Sequence, residues 1–119
     1  MKFLLDTNVL IPAEPTAPEY VEPETRVIVE LLRVAQQGSH GLYVHAASIE
    51  ELLKDRTAAR RELRTVLLQK YQSLDDASPS KRVELAAHIG TPKPGSHDEN
   101  DLRLLASLAS DAIDYLVTK

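Results

Sequence analysis

Four carboxylates and their neighbours are the residues of this chain best placed to do chemistry. Asp6 lies in Phe3-Leu-Leu-Asp-Thr-Asn-Val-Leu-Ile11, between two apolar triplets that favour burial. A carboxylate inside a buried segment is costly unless a partner compensates it. Glu51 follows the apolar run Gly41-Leu-Tyr-Val-His45, and Asp98 and Asp101 stand together ahead of Leu102. Brought to one place, these acids repel one another, and a divalent cation relieves that repulsion. Ligands that are all oxygen point to Mg²⁺ or Mn²⁺ rather than Zn²⁺. The chain has no cysteine, which excludes disulfides, thiolate metal sites and a cysteine nucleophile.

The elements that must position these acids can be read from apolar periodicity and turn residues. Lys2–Leu5 reads as a short strand buried on both faces, as in the middle of a parallel sheet. Residues 12–25 hold four prolines among glutamates and read as an exposed loop. A helix is predicted from an N-cap at Thr25 to about Gln37, with Val27, Ile28, Leu31, Leu32 and Ala35 inward and Gly38 as its stop. Gly41–His45 is a second strand, and a short helix opens at Ser48. A longer helix is predicted over about 57–73, with Leu63, Val66, Leu67 and Tyr71 inward. Another runs from Pro79 to about His88, closed by Gly90. After the Pro- and Gly-containing loop 91–97, a helix begins near Asp98 with Leu102, Leu105, Ala106 and Ala109 inward, and 114–118 is a third strand.

Strands alternating with helices predict an α/β fold of three layers, α/β/α, with a central parallel sheet. No repeat or linker divides residues 1–119, which read as a single domain. In such sheets ligands bind beyond the carboxyl ends of the strands. Asp6, Glu51, Asp98 and Asp101 all fall there.

Each acid also has a purely structural reading. Ser48-x-x-Glu51 has the form of a capping box. Asp98 and Asp101 complement the dipole at a helix N-terminus, and Asp6 could serve as an N-cap. It is the combination of residues remote in sequence that favours a site.

Composition narrows the classes. Hydrophobic residues are 43%, charged residues 27% and aromatic residues 4%, so the core is aliphatic. A net charge of −4 argues against broad electrostatic binding of nucleic acid, yet suits a nuclease whose carboxylates are neutralised by metal. No stretch approaches a membrane span, and Asp6 breaks the N-terminal apolar run too early for a signal peptide. A cytoplasmic location is expected.

Phe3-Leu-Leu-Asp-Thr-Asn-Val-Leu-Ile11, Ser48-Ile-Glu-Glu-Leu52, Asp98-Glu-Asn-Asp-Leu-Arg-Leu-Leu-Ala-Ser-Leu-Ala109 and Asp114-Tyr-Leu-Val-Thr118 together resemble the PIN domain. PIN domains are small α/β ribonucleases that include the VapC-type toxins of toxin–antitoxin pairs. The resemblance spans the chain in the expected order. It implies that Asp6 and Asp101 bind Mg²⁺ or Mn²⁺ and that Glu51 is a further catalytic acid. Asp98, one turn before Asp101, would join the catalytic acids as support or as an additional ligand. Thr7 and Asn8 would orient Asp6, with Thr118 near the pocket. The implied reaction is hydrolysis of an RNA phosphodiester to a 5′-phosphate and a 3′-hydroxyl. An antitoxin protein and homodimerisation are implied as partners. The family pattern adds an acid two positions after its Thr, so the chain is expected to be C-terminally incomplete or the N-terminal part of a larger fusion.

An acidic nuclease must still hold a polyanion. Arg56, Arg60 and Arg64 recur every four residues and form a candidate RNA-binding stripe. The alternative is a solvated helix face paired with Glu62 and its neighbours. His97, beside Asp98, could touch the site or be a solvated loop histidine. Two further readings, one an enzyme and one a receiver-like module, fit less well. A haloacid dehalogenase-type phosphohydrolase needs a second Asp where Asn8 stands, and a receiver module needs an acidic pair near its start. A non-catalytic interaction module with the same fold is the remaining alternative.

Overall fold

The computed structural model describes residues 1–119. Four strands, β1 (Lys2–Leu5), β2 (Gly41–His45), β3 (Gln72–Leu74) and β4 (Tyr115–Val117), form one sheet in the order β3-β2-β1-β4. All three pairings are parallel. Phe3 lies opposite Leu42 on one side and Tyr115 on the other, while Val44 faces Ser73. Six helices complete the fold: α1 (Thr7–Ala13), α2 (Thr25–Gln37), α3 (Ala46–Leu52), α4 (Ala58–Leu68), α5 (Pro79–Ile89) and α6 (His97–Ala109).

The central strand dictates the layering. Successive side chains of β1 point to opposite faces, and Leu4 and Leu5 are both 0% exposed. Leu5 enters the larger cluster with Val9, Leu10, Ile28, Leu32, Val44 and Tyr71. Leu4 enters a smaller cluster with Leu104 and Ile113. One core therefore lies beneath α1 and α2 and the other beneath α6, which gives the expected three-layer α/β/α arrangement. No helix is long and apolar enough to cross a membrane.

Several predicted elements need correction. The loop predicted over 12–25 begins later, because Pro12 and Ala13 are buried in an unpredicted helix over residues 7–13. That helix is α1, with Val9 and Leu10 also buried, and within the loop Pro18–Tyr20 is one 3-10 turn. The predicted helix over 57–73 is two elements, α4 and β3, because an edge strand with exposed Gln72 and Ser73 carries no apolar alternation. Leu63 and Val66 of α4 face solvent, as do Val27 and Leu31 of α2. Thr25 is the first residue of α2 rather than its cap, its hydroxyl accepting from the Glu22 N–H at 3.0 Å. On α6 the buried leucine after Leu102 is Leu104, not Leu105, and Ala109 is exposed. The stop of α5 is as predicted, with Gly90 at φ 96°, where a side chain would be strained.

Candidate functional site

Asp6 is delivered to the carboxyl edge of the sheet by β1. The chain passes from strand to helix through this one residue, whose backbone is extended. Its Oδ1 accepts the Thr7 N–H at 2.7 Å, which makes it the N-cap of α1. Its Oδ2 accepts the Thr118 hydroxyl at 2.9 Å. Thr118 lies just beyond β4, and the Asn8 side chain pairs with it at 3.1 Å. The Asn8 Oδ1 also accepts the Lys119 N–H at 3.2 Å. Asn8 thus acts on Asp6 through Thr118, and Thr118 touches Asp6 directly.

Glu51 comes from the last turn of α3. The capping-box reading fails: the side chain that caps α3 is His45, whose Nδ1 accepts the Ala47 N–H at 2.9 Å, and Ser48 Oγ is buried without a partner. Glu51 points instead to the rim. The Thr7 hydroxyl donates to its Oε2 at 3.3 Å, and the Asn100 amide donates to the same atom at 3.3 Å. His97 Nδ1 lies 2.7 Å from Oε1. Buried Thr7 therefore bridges two of the acids, its N–H to Asp6 and its O–H to Glu51.

Asp98 and Asp101 lie in the first two turns of α6, which Ser96 caps by accepting the Glu99 N–H at 3.3 Å. The Asp101 carboxyl is raised above the ordinary range, first by desolvation and then by the charges of Asp6, Asp98 and Glu51. Asp101 thus shares the electrostatic environment of the other three acids, although Glu51 lines one cleft, Asp98 and Asp101 another, and Asp6 neither. Glu51 borders one of about 410 Å³ with Thr7, Lys54, Arg64, His97 and Asn100. Asp98 and Asp101 border another of about 340 Å³ with Gly90, Thr91 and Pro92.

An all-oxygen donor set with mutual repulsion is chemically suited to Mg²⁺ or Mn²⁺. As the side chains stand, no three His, Asp or Glu groups are gathered closely enough to hold one ion. Glu51 is instead engaged by His97 and Asn100.

The arginine stripe is organised by Asp55 rather than Glu62. Arg60 Nε and Arg64 Nη1 reach Asp55 Oδ2 at 2.8 and 2.9 Å. The Arg60 hydrogen bond and the Thr57 N–H hold the Asp55 carboxyl down at about 2. Arg60 also donates to the Tyr20 hydroxyl at 3.1 Å. Of the three predicted arginines only Arg64 borders the Glu51 cleft, where Lys54 joins it. Arg56 is exposed on the approach to α4. Sequence reasoning did not single out Asn100 or Lys54. Asn100 was detectable from its place one turn after His97 and directly before Asp101.

The sheet order, the layering and the acids at its carboxyl edge define a PIN-like α/β fold. No family model and no curated protein matches the sequence. Among solved structures the chain is similar to one from VapBC2 of Rickettsia felis, determined bound to a DNA fragment from their promoter. The TM-score is 0.70 at 13% identity, over 100% of this chain and 89% of that one. At that identity the likeness shows the fold alone.

Proposed function

We propose that this protein is a Mg²⁺- or Mn²⁺-dependent endoribonuclease of the PIN type. The observation that carries the reading is the rim itself. Asp6 is fixed by two donors at the end of the central strand, and Asp101 feels the charges of Asp6, Asp98 and Glu51. Asp6, Glu51 and Asp101, with Asp98 beside them, would hold the cation, which supplies positive charge for the phosphodiester and acidifies a water at neutral pH.

The chain's own residues do the rest. Thr7 and Thr118 hold the Asp6 oxygens in a fixed direction, which lowers the reorganisation needed on loading. Asn100 and the Thr7 hydroxyl hold Glu51 at the mouth of its cleft. Arg64 and Lys54 place positive charge on that same cleft, where an adjacent RNA phosphate would pass. Water attacks phosphorus and the 3′-oxygen leaves with a proton, so the products are a 5′-phosphate and a 3′-hydroxyl. A protein partner of antitoxin type, a homodimer and a cytoplasmic location belong to this reading, and the likeness to a chain of a VapBC2 assembly supports the first.

A second reading has its own observation. Glu51 is engaged by His97, Asn100 and Thr7, and no three ligands converge, which favours a non-catalytic interaction module. Cleavage of a fluorescent single-stranded RNA with Mn²⁺, with Mg²⁺ and with EDTA separates the two. Metal-dependent cutting that disappears in Asp6→Asn supports the nuclease. Cutting that survives both EDTA and Asp6→Asn, or no cutting under any condition, sinks it.

A further inference from the structure

Backbone hydrogen bonds of the sheet fix Asp6, but Glu51 and Asp101 stand on two separate helices. Something else must set the spacing of α3 from α6. The structure offers a ring of four polar side chains.

His45, at the end of β2, is 0% exposed. Its Nδ1 accepts the Ala47 N–H, so that nitrogen carries no proton and the ring is the neutral tautomer with the proton on Nε2. Nε2 has no hydrogen-bond partner and faces Asp76 Oδ1 at 3.7 Å. Asp76, just past β3, is gripped by Arg103 of α6, with Nε to Oδ1 and Nη2 to Oδ2 both at 2.8 Å. The same guanidinium donates to both oxygens of Glu50 on α3, at 2.6 and 3.2 Å.

The Arg103 side chain is 11% exposed, so losing either partner would leave a largely desolvated charge underused. A fork that serves two carboxylates at once is a geometry that lysine cannot reproduce. Glu50 is the residue before Glu51, and Arg103 lies two residues after Asp101. Glu50 and Arg103 are therefore tied to the rim through their helices, yet none of the four is itself a rim acid.

We propose that this ring is the positioning device of the acidic site. Arg103, through Glu50, and His45, through the cap of α3, hold α3 against α6 and so set where Glu51 stands relative to Asp101. The metal arm of the test below rests on the cation reading of the rim, and the other arm does not.

The metal-free arm follows the Asn100 side-chain amide by NMR, since its contact with Glu51 reports the α3–α6 spacing directly. The metal arm measures Mn²⁺ affinity by calorimetry. Wild type and His45→Asn, which keeps a capping acceptor, show the Asn100–Glu51 contact. Arg103→Met stays folded by circular dichroism, loses the contact and binds Mn²⁺ about tenfold more weakly, the low end of what removing a group that orients a metal ligand costs. Arg103→Lys falls between. A folded Arg103→Met that keeps the contact, or keeps wild-type Mn²⁺ affinity, overturns the proposal. Absence of the contact from wild type overturns it too. If Arg103→Met does not fold, Glu50→Gln replaces it, because it weakens the exposed arm and leaves Arg103–Asp76 intact. If wild type binds no Mn²⁺, the cation reading falls and the amide contact alone decides the ring.

Discussion

Asp6 has two separable duties, and a pair of substitutions divides them. As an N-cap it accepts the Thr7 N–H at 2.7 Å, and as a carboxylate it also accepts the Thr118 hydroxyl at 2.9 Å. Asp6→Asn retains an oxygen for Thr7, and its amide can donate to Thr118, whose hydroxyl then turns to accept. Asp6→Ala retains neither contact. Replacing a capping residue by alanine costs about 0.5–2 kcal/mol. Because Asp6 accepts from the first helical N–H rather than the second or third, the lower half of that range applies. The bond from Thr118 adds roughly 0.5–1 kcal/mol after allowance for its exposure. Removing a negative charge near Asp98, Glu51 and Asp101 returns a few tenths, through weakened repulsion.

Asp6→Ala should therefore lose about 1–2 kcal/mol, whereas Asp6→Asn should stay within about 0.5 kcal/mol of wild type. Urea unfolding followed by circular dichroism measures both, and Mn²⁺ calorimetry on the same samples reads the second duty. Both variants should lose Mn²⁺ binding. If Asp6→Asn is as unstable as Asp6→Ala, the capping argument is wrong. If Asp6→Asn binds Mn²⁺ like wild type, Asp6 is not a ligand.

Two further outcomes follow from the charges. Arg64→Ala should raise the KM for RNA and lower the salt slope of binding by about one, since one phosphate contact is lost, whereas Arg56→Ala should change neither; equal effects at both sites would remove Arg64 from the cleft. Burial lowers the His45 pKa, opposed by Asp76, so the folded state resists a proton that the unfolded chain accepts. The stability this represents is complete above the ordinary imidazole pKa of about 6.5 and is lost as pH falls toward the depressed folded value. Thermal midpoints of wild type should accordingly drop relative to His45→Asn between pH 7.5 and 5.5, as rough working limits, and a constant difference across that range would refute the assignment.

Local signals were legible in the sequence where burial made them strong. Leu4 and Leu5, or Leu42 and Val44, are apolar because a central strand has no solvent face, so β1 and β2 could be bounded from composition alone. Strand β3 could not, because an edge strand of three residues with two exposed side chains leaves no periodic trace. Helix α1 was masked by the turn-like Asp6-Thr7-Asn8 that caps and opens it. Glu51 shows the limit most clearly. Ser48-x-x-Glu51 has the spacing of a local cap, and only the tertiary approach of α6, with Asn100 and His97, shows that the carboxylate faces elsewhere. The arginine stripe was found, but its organiser, Asp55, precedes the helix and lay outside the periodic pattern.

The pairing of β1 with β4 joins the beginning of the chain to residues more than a hundred positions later. On a ribosome, β1 can find β2 once residue 45 has emerged, but its other edge stays open until β4 arrives. Such non-local closure comes late because the loop entropy must be overcome before the contacts form. Asp6 therefore receives the Thr118 hydroxyl only as β4 docks. Ordering of the Asp6 carboxylate is thus coupled to the pairing of the chain's two remote ends.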